Sequence, residues 1–361
     1  MTPNILNYVE SNMKTFDEAA LNEVDALVFS WLSYYHIDEK VFKKKSFGNI
    51  KIKELYNAKY FDGMLFGVSD IESSKKLLSL VAASPRFRDI DILYYDEHSS
   101  KSLEKQFSAM TFRIGVEKYL VAFRGTDHSF VGWKEDLNMS FMKHIPSQIA
   151  AKEYLEKVVS KYKGTYYIAG HSKGGNLAVY ASSFINDSLK KFIVNIYNFD
   201  GPNLNSKLTE DARYKDTKIK IKKYVPQSSV VGMCFEKTLK YKIVKSNSLG
   251  MLQHNPFTWE VTGNKLKILK NTTFNSKIFK NGINALIDNL SDKELKLFAN
   301  SIYEVVNATK VDTVEDFVKH INNTFPIVIN EINSFNAEQK NLAKRIFDIY
   351  SKEVIKSFIP D

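Results

Sequence analysis

The sequence is poor in the residues that build disulfide-rich or metal-binding modules. Its 361 residues include one cysteine, Cys234, so an internal disulfide and a cysteine-rich zinc module are both excluded. The histidines are dispersed and no His-Glu-x-x-His motif occurs, so we expect no metal and no cofactor. Because a lone thiol fits a reducing compartment, we expect a cytoplasmic protein.

The sequence also lacks long apolar runs. No stretch of about eighteen uncharged apolar residues occurs, so we expect no membrane-spanning helix. The first residues show no basic segment followed by an apolar core, and we therefore expect no export. There is no internal repeat and no low-complexity tract. Since 44% of the residues are hydrophobic, the chain can bury a sizeable core.

Positive charge is in excess, but it is not concentrated. The formal charge is +10, which is compatible with anionic partners such as nucleic acid or acidic lipid headgroups. The lysines are scattered, and the denser groups at residues 43–45 and 215–223 do not resemble a nucleic-acid-binding module. We therefore expect no nucleic-acid partner, while peripheral contact with an anionic membrane stays open. The sequence does not fix the oligomeric state.

A Gly-x-Ser-x-Gly motif stands between a strand pattern and a helix pattern. It reads Gly170-His-Ser-Lys-Gly174, and the apolar run at residues 165–169 before it is typical of a buried strand. The small residues after it are typical of a helix that packs closely on a sheet. In such an elbow the two glycines allow close approach to neighbouring backbone, and the hydroxyl of Ser172 is exposed above the strand ends.

Two other glycine motifs are excluded. A phosphate-binding P-loop ends in Gly-Lys followed by serine or threonine, whereas Lys173 comes after the serine here. No Gly-x-Gly-x-x-Gly follows a predicted strand. The motif therefore predicts Ser172 as a nucleophile.

Strand and helix patterns alternate on both sides of this motif. Helices are predicted over residues 17–35, 71–82 and 147–162, with a further one opening at Trp133, Asp136 and Leu137; strands are predicted over 90–95, 107–116, 119–123, 191–199, 219–225 and 241–245. The short turn around Glu117-Lys118 predicts that the strands over 107–116 and 119–123 form a hairpin. The alternation of strands and helices that follows implies a parallel sheet with crossover helices. Residues 40–53 are basic and poorly periodic, which is typical of a surface loop.

The pattern changes to helical near residue 270. Helices are predicted over residues 283–290, 291–307, 314–322 and 337–358. We therefore expect an α/β domain over residues 1–270 and a helical C-terminal extension over residues 271–361. This extension could cover the site, bind a partner or contact lipid.

A serine nucleophile needs a base, and the sequence offers two histidines after it. The base removes the hydroxyl proton, and a third group holds the base in the right tautomer. In a doubly wound hydrolase the base comes last in the chain, after the acid. His320 lies in a helical pattern, whereas His254 lies in a loop after the last long strand, so we predict His254 as the base.

The best candidate for the acid is Asp200. It follows the strand after the elbow unit, at the edge where functional groups gather in open α/β sheets, and Gly201 and Pro202 then form a turn. The tip of the next strand, after Val225, carries no carboxylate. The alternatives are Asp211, Asp216 and Glu236.

Acyl transfer also requires donors for the oxyanion of the tetrahedral intermediate. We predict the backbone N–H of Lys173 as the first donor and Thr126, in the loop after an earlier strand, as the second. Arg124 and Asp136 could form an ion pair that holds this loop or only a surface pair.

Several motifs together resemble a known family. They are Phe123-Arg-Gly-Thr126, Trp133 with Asp136, Gly170-His-Ser-Lys-Gly174, Asn198-Phe-Asp-Gly-Pro-Asn203, Val231-Gly-Met233 and Gln253-His-Asn-Pro-Phe-Thr-Trp259. This set resembles the class 3 lipase branch of the α/β-hydrolase superfamily, and more closely the bacterial Mbeg1-like proteins, a lipase-like family built on a domain of unknown function. The likeness covers roughly residues 17–265.

The resemblance implies an α/β-hydrolase fold with a mostly parallel central sheet. It also implies a serine hydrolase that acts on acyl esters or lipids through an acyl-enzyme, with Ser172, His254 and an aspartate as triad. One departure concerns the acid. Class 3 lipases carry it after the strand that ends here at Val225, whereas Asp200 matches its placement in pancreatic-type lipases.

Other functions remain open on the sequence alone. A catalytically silent protein could keep this fold for binding or scaffolding, and the missing carboxylate after Val225 favours that alternative. An acyltransferase or thioesterase would carry the same triad. A protein whose function is to associate with membranes or nucleic acid through its positive charge is the third alternative.

Overall fold

The central element of the computed structural model is a mixed β-sheet. The structure describes residues 2–37, 50–100, 102–127, 130–237, 239–311 and 320–357. The strands are β1 (Ile50–Lys51), β2 (Asp91–Ser100), β3 (Lys105–Gly115), β4 (Lys118–Phe123), β5 (Thr165–His171), β6 (Ile193–Phe199), β7 (Ile221–Pro226), β8 (Tyr241–Val244), β9 (Val261–Thr262), β10 (Lys265–Leu266) and β11 (Ile268–Leu269). Nine of these described strands form one sheet in the order β1 to β8 followed by β11.

The sheet is parallel only in its centre. Strands β4 to β8 run parallel, whereas β1 to β4 pair antiparallel and β11 pairs antiparallel with β8. The sheet is therefore mixed rather than mostly parallel as predicted, while the predicted hairpin of β3 and β4 is confirmed. The reason is local: β3 and β4 are joined by a short turn in which Glu117 has a φ of 52°, and such a turn can only join antiparallel neighbours.

Helices cover both faces of the sheet. They are α1 (Ile5–Ser11), α2 (Glu23–Leu32), α3 (Phe61–Met64), α4 (Ile71–Ala83), α5 (Phe130–Asn138), α6 (Pro146–Lys161), α7 (Lys173–Phe184), α8 (Asp187–Lys190), α9 (Ser206–Thr209), α10 (Ala212–Thr217), α11 (Phe274–Asn289), α12 (Asp292–Ala308), α13 (Ile321–Ser334) and α14 (Ala337–Ser357). Helix α2 contacts β4, β5 and β6, while α6 and α7 pack together against β3 to β6. Two separate apolar cores result, which belong to opposite faces.

Helix α2 begins later than the sequence pattern predicted. The side chain of Asn22 accepts the N–H groups of Val24 and Asp25, so the helix begins at Glu23 rather than near residue 17. Its side chains Leu27, Val28 and Trp31 are fully or almost fully buried against the sheet. This packing fixes the end of α2, and with it the residues that follow, close to the end of β5.

The segment predicted as a basic surface loop, residues 40–53, is only partly within the described residues. Residues 38–49 lie outside them, including the lysines at 43–45, while residues 50–55 form β1 and a short 3₁₀ helix. The predicted strand at residues 90–95 continues to Ser100 as β2.

The chain after residue 270 is helical, as predicted. The predicted helix over residues 283–290 begins earlier, at Phe274, because Thr273 caps α11 through a hydrogen bond to the N–H of Ser276. Helix α11 packs on α14, and α12 packs on α5. The buried leucines Leu286, Leu290, Leu295 and Leu342 hold this group together. Of the predicted helix over residues 314–322, residues 314–319 lie outside the described part of the chain.

Within the described ranges, no helix is both long and apolar enough to cross a membrane.

Candidate active site

Ser172 lies at a sharp turn between β5 and α7. Its φ of 57° and ψ of −134° are unusual for a residue with a side chain, and such strain is typical of functional turns. The turn is held on both sides: the N–H of Ser172 donates to the carbonyl of Phe199 at 2.9 Å, and its own carbonyl accepts the N–H of Gly175 at 2.9 Å. The serine side chain is therefore fixed at the carboxyl edge of the parallel strands.

The two glycines of the elbow are required by close backbone contacts. A Cβ at Gly170 would lie 2.1 Å from the carbonyl oxygen of Gly174, and a Cβ at Gly174 would lie 2.0 Å from that of Phe123. Neither backbone neighbour can move aside without disturbing the sheet. The Gly-x-Ser-x-Gly pattern thus reflects close approach of α7 to β4 and β5.

Two of the predicted residues are in direct contact. His254 Nδ1 lies 2.7 Å from Asp200 Oδ2, although 54 positions separate the residues in the chain. His254 ends a short 3₁₀ helix, Gly250–His254, and Asp200 follows β6 with a φ of 50°. The N–H of Asp200 donates to the carbonyl of Tyr224 on β7 at 2.8 Å, and the side chain is almost fully buried.

The other carboxylate oxygen of Asp200 is bonded by residues that follow β7. Ser229 Oγ donates to Asp200 Oδ1 at 2.5 Å, and the N–H of Gly232 donates to the same oxygen at 3.2 Å. A Cβ at Gly232 would lie 2.3 Å from Asp200 Oδ1, which explains the glycine. The strand tip that lacks a carboxylate thus contributes a hydroxyl to Asp200. The sequence did not predict that Ser229 bonds Asp200. The Val231-Gly-Met233 motif was the only sequence feature close to Ser229.

His171, the residue before the serine, was also missed. Its Nε2 lies 2.8 Å from the carbonyl oxygen of His254, and its Nδ1 lies 3.0 Å from the hydroxyl of Tyr34. Burial, together with the neighbouring His254, lowers the pKa of His171 well below its usual value, so the ring is neutral. We assign Nε2 as the protonated nitrogen, because a carbonyl can only accept, and Nδ1 as the acceptor of the Tyr34 hydroxyl.

The loop after β4 lies against the serine. A Cβ at Gly125 would lie 3.0 Å from Ser172 Cβ and 2.1 Å from the hydroxyl of Tyr34, so only glycine fits there. Thr126 Oγ1 donates to Asp136 Oδ2 at 2.6 Å. Among the described residues, the backbone N–H groups of Thr126 and Lys173 have no hydrogen-bond acceptor. These are the two donors predicted for an oxyanion.

The side chain of Asp136 lies at the cavity with one oxygen bonded to Thr126. Burial raises the pKa of Asp136 to about 6, although Lys173 and the Thr126 hydroxyl oppose this shift. Within the described part of the chain, its other oxygen, Oδ1, has no hydrogen-bond partner. The pKa of this carboxyl group therefore lies above the usual acidic range.

The suggested ion pair between Arg124 and Asp136 is not formed. Arg124 Nη1 instead donates to Glu97 Oε1 on β2 at 2.5 Å, and His36 also contacts Glu97 at 2.8 Å. Burial opposes the ionisation of Glu97, but His36 and Arg124 lower its pKa to about 2. Asp136 is bonded to Thr126, so the two charges belong to separate clusters.

The side chain of Lys173 is buried in a separate structural ion pair. Its ammonium group lies 2.9 Å from Glu135 Oε2 and 3.1 Å from the carbonyl of Gln106. Glu135 also accepts the N–H of Ser147 at the start of α6. The Lys173 side chain thus joins α7 to α5 and α6. Its backbone N–H lies in the first turn of α7, where N–H groups have no partner within the helix.

Ser172, His254 and Asp200 line one cavity of about 470 Å³, together with Thr126 and Lys173. No hydrogen bond joins Ser172 Oγ to His254 in the described residues. Such bonds are often long before substrate binds. Helices α11, α12 and α14 contribute only apolar residues to the cavity wall, and further apolar residues such as Leu137, Val231 and Met251 line it from other segments.

The other candidate residues lie elsewhere. His320 is exposed before α13 and does not line the cavity. Asp211 caps α10, and Glu236 forms a buried ion pair with Lys223. Asp216 is exposed on the surface. Among the described residues, no group of three or more histidine, cysteine or acidic side chains could hold a metal ion.

Comparisons with known proteins identify the family. No curated protein matches the chain. Among solved structures, one that is similar is the crystal structure of M37 lipase, with 17% sequence identity and a TM-score of 0.39, over 59% of this chain and 70% of that chain. The Mbeg1-like family matches residues 81–304, well over half of the sequence. The chain belongs to the Mbeg1-like family.

Proposed function

We propose that this protein is a serine hydrolase of carboxylic esters with an α/β-hydrolase fold. The observation that carries the proposal is the 2.7 Å contact between His254 Nδ1 and Asp200 Oδ2 in the cavity that Ser172 also lines. A buried carboxylate on Nδ1 selects the tautomer whose Nε2 accepts a proton, and this is the state that a general base requires. In this proposal residues 1–270 form the hydrolase domain and residues 271–361 its helical extension.

The proposed reaction begins with proton transfer from Ser172 Oγ to His254 Nε2. The serine oxygen then attacks the ester carbonyl, and the resulting oxyanion accepts the backbone N–H groups of Thr126 and Lys173. As the intermediate collapses, His254 gives the proton to the leaving alcohol and an acyl-enzyme remains on Ser172. Water, deprotonated by His254, releases the acid.

Asp200 stabilises the imidazolium that forms at His254. It stays an acceptor because Ser229 Oγ and the Gly232 N–H both donate to its second oxygen. Hydrogen bonds to an ionised group contribute about 1.5–3 kcal/mol each, so these two donors fix the orientation in which Oδ2 of Asp200 contacts His254.

Hydrolysis of short p-nitrophenyl esters tests the proposal. Ser172→Ala and His254→Ala should each lower kcat by at least about 10⁴-fold, since triad residues act as a unit. His320→Ala is the matched control, because His320 is an exposed histidine outside the cavity, and it should keep the wild-type rate. A folded wild-type protein that hydrolyses no ester, or variants as active as wild type, would contradict the proposal.

A second candidate is a catalytically silent binding protein with the same fold. The observation in its favour is that Ser172 Oγ makes no hydrogen bond to His254 among the described residues. The same experiment separates the two, because a silent protein would bind an ester without releasing p-nitrophenol.

A further inference from the structure

The cavity at Ser172 has two chemically different parts. The charged residues that line it are Asp127, Asp136, Lys173, Asp200 and His254, which come from α5 and from the loops, elbow and strand ends around Ser172. By contrast, every lining residue from α11, α12 and α14 is apolar. A ligand that matches both parts has a polar group at Ser172 and a hydrocarbon part that extends towards the C-terminal helices.

The apolar part is built from regular helix faces. Phe279, Ile283 and Leu286 line the cavity from α11, and Leu295, Phe298 and Ala299 line it from α12. Spacings of three and four residues place each set on one side of its helix. On each helix, the side of the helix that faces the cavity is therefore a continuous apolar stripe.

These helices are fixed to the site and to each other. Ser276 Oγ, on α11, donates to the carbonyl of Ser229 at 2.6 Å, and the N–H of Thr273 donates to the carbonyl of Gln227 at 2.7 Å. A Cβ at Gly282 would lie 2.3 Å from the ring of Tyr350, so α11 and α14 are in close contact. The wall thus begins at the same loop that carries Ser229, the partner of Asp200.

We propose that α11 and α12 form the binding site for the acyl chain of the ester and limit the length of chain that the protein accepts. The substrate class is then an ester with one unbranched hydrocarbon acyl chain, whose carbonyl lies at Ser172 and whose end contacts Ala299 and its neighbours. This inference rests on the proposed ester hydrolysis for its catalytic readout, but binding of the chain does not depend on catalysis.

The size of the cavity and the burial of the acyl chain in it give the expected dependence of kcat/KM on chain length. A volume of about 470 Å³ lies in the usual range for small-molecule sites. Each buried methylene contributes about 0.8 kcal/mol, which is about a fourfold gain in kcat/KM. The specificity constant should therefore rise about fourfold per methylene from acetate to octanoate and stop rising when the chain fills the cavity.

Two variants on α12 test the assignment. Ala299→Trp places a large side chain at the apolar end and should lower the octanoate-to-acetate ratio of kcat/KM by at least about tenfold, the effect of excluding about two methylenes. Lys296→Trp is the matched control, because Lys296 is exposed on the same helix and does not line the cavity, and its ratio should equal that of wild type. Ala299→Leu, a milder change, replaces Ala299→Trp if the latter fails to fold.

A binding measurement separates this inference from the proposed function. Fluorescence of cis-parinaric acid, displaced by decanol, is recorded on Ser172→Ala protein with and without Ala299→Trp. Probe binding that is lost on Ala299→Trp supports the chain site even if the protein hydrolyses no ester. Equal binding by both folded proteins, or a wild-type specificity constant that is flat from acetate to octanoate, would overturn it.

Discussion

His171 Nε2 donates a hydrogen bond of 2.8 Å to the carbonyl oxygen of His254, so the residue before Ser172 holds the backbone of the proposed base. The imidazole rings of the two histidines lie 4.5 Å apart. On its other side, His171 Nδ1 accepts the hydroxyl of Tyr34, which follows α2. A chain of contacts therefore runs from the helix on one face of the sheet to the proposed base.

His171→Phe should lower kcat about two- to tenfold without unfolding the protein. The change removes one buried hydrogen bond to the loop of His254, which contributes about 0.5–1.5 kcal/mol. His171→Gln retains an amide N–H donor and should recover part of the rate. The measurement is the pH dependence of kcat for both variants; a variant with lower rate but also a Tm far below wild type would point to a purely structural role.

Asp200→Asn should lower kcat by about 10³–10⁴-fold while the fold is kept. An asparagine amide can donate to His254 Nδ1 and select the wrong tautomer, which leaves Nε2 protonated and unable to act as base. Steady-state kinetics with a p-nitrophenyl ester measure this. Asp211→Asn is the control, because Asp211 caps α10 and pairs with Arg213 but does not line the cavity. Equal losses in the two variants would remove Asp200 from the proposed mechanism.

Asp136→Asn should make stability less dependent on pH. Burial raises the pKa of Asp136 to about 6, so the folded state binds this proton more tightly than the unfolded state, where the pKa is about 3.8. The free energy of unfolding of the wild type therefore falls as pH rises from about 4 to 6. The loss is roughly 2 kcal/mol after allowance for partial solvent exposure, and it persists at higher pH. Denaturation should show that the free energy of unfolding of Asp136→Asn, relative to wild type, is higher at pH 7.5 than at pH 4.5. A difference in free energy of unfolding that is the same at both pH values would contradict this account.

Gly174→Ala should destabilise the fold by about 3 kcal/mol or more. The new Cβ would lie 2.0 Å from the carbonyl oxygen of Phe123, and a backbone atom of the central sheet cannot rotate away. Gly63→Ala is a matched control, because a Cβ there meets no atom within 4 Å, and it should be neutral or stabilise by up to about 1 kcal/mol. Urea denaturation measures both. A Gly174→Ala protein as stable as wild type would show that α7 does not approach β4 this closely.

Local sequence patterns predicted the parts of the fold that depend on neighbours in the chain. The elbow at Ser172 follows from two glycines, an apolar strand and a small-residue helix, all within about sixteen positions. The helical nature of the chain after residue 270 follows from its periodicity. The hairpin of β3 and β4 also follows from a local pattern, the short turn at Glu117. The antiparallel pairing of the two-residue strands β1 and β11 does not, because neither is long enough to show a pattern.

Contacts between distant segments could not be predicted from local patterns. Ser229 was seen only as part of a strand tip without a carboxylate, yet its hydroxyl bonds Asp200. Arg124 and Asp136 are close in sequence and opposite in charge, but Glu97 on β2, which is separated from β4 by β3, is the actual partner of Arg124. The role of α11 and α12 in the cavity wall likewise needs the packing of segments more than one hundred residues from Ser172.

The most direct test of the account is labelling of the wild-type protein with a fluorophosphonate probe, followed by peptide mapping in a mass spectrometer. The account predicts one phosphonyl group per chain, located on Ser172, and much slower labelling of Asp200→Asn and His254→Ala. A folded protein that stays unlabelled, or that carries the label on another serine, would contradict the claim that His254 and Asp200 activate Ser172.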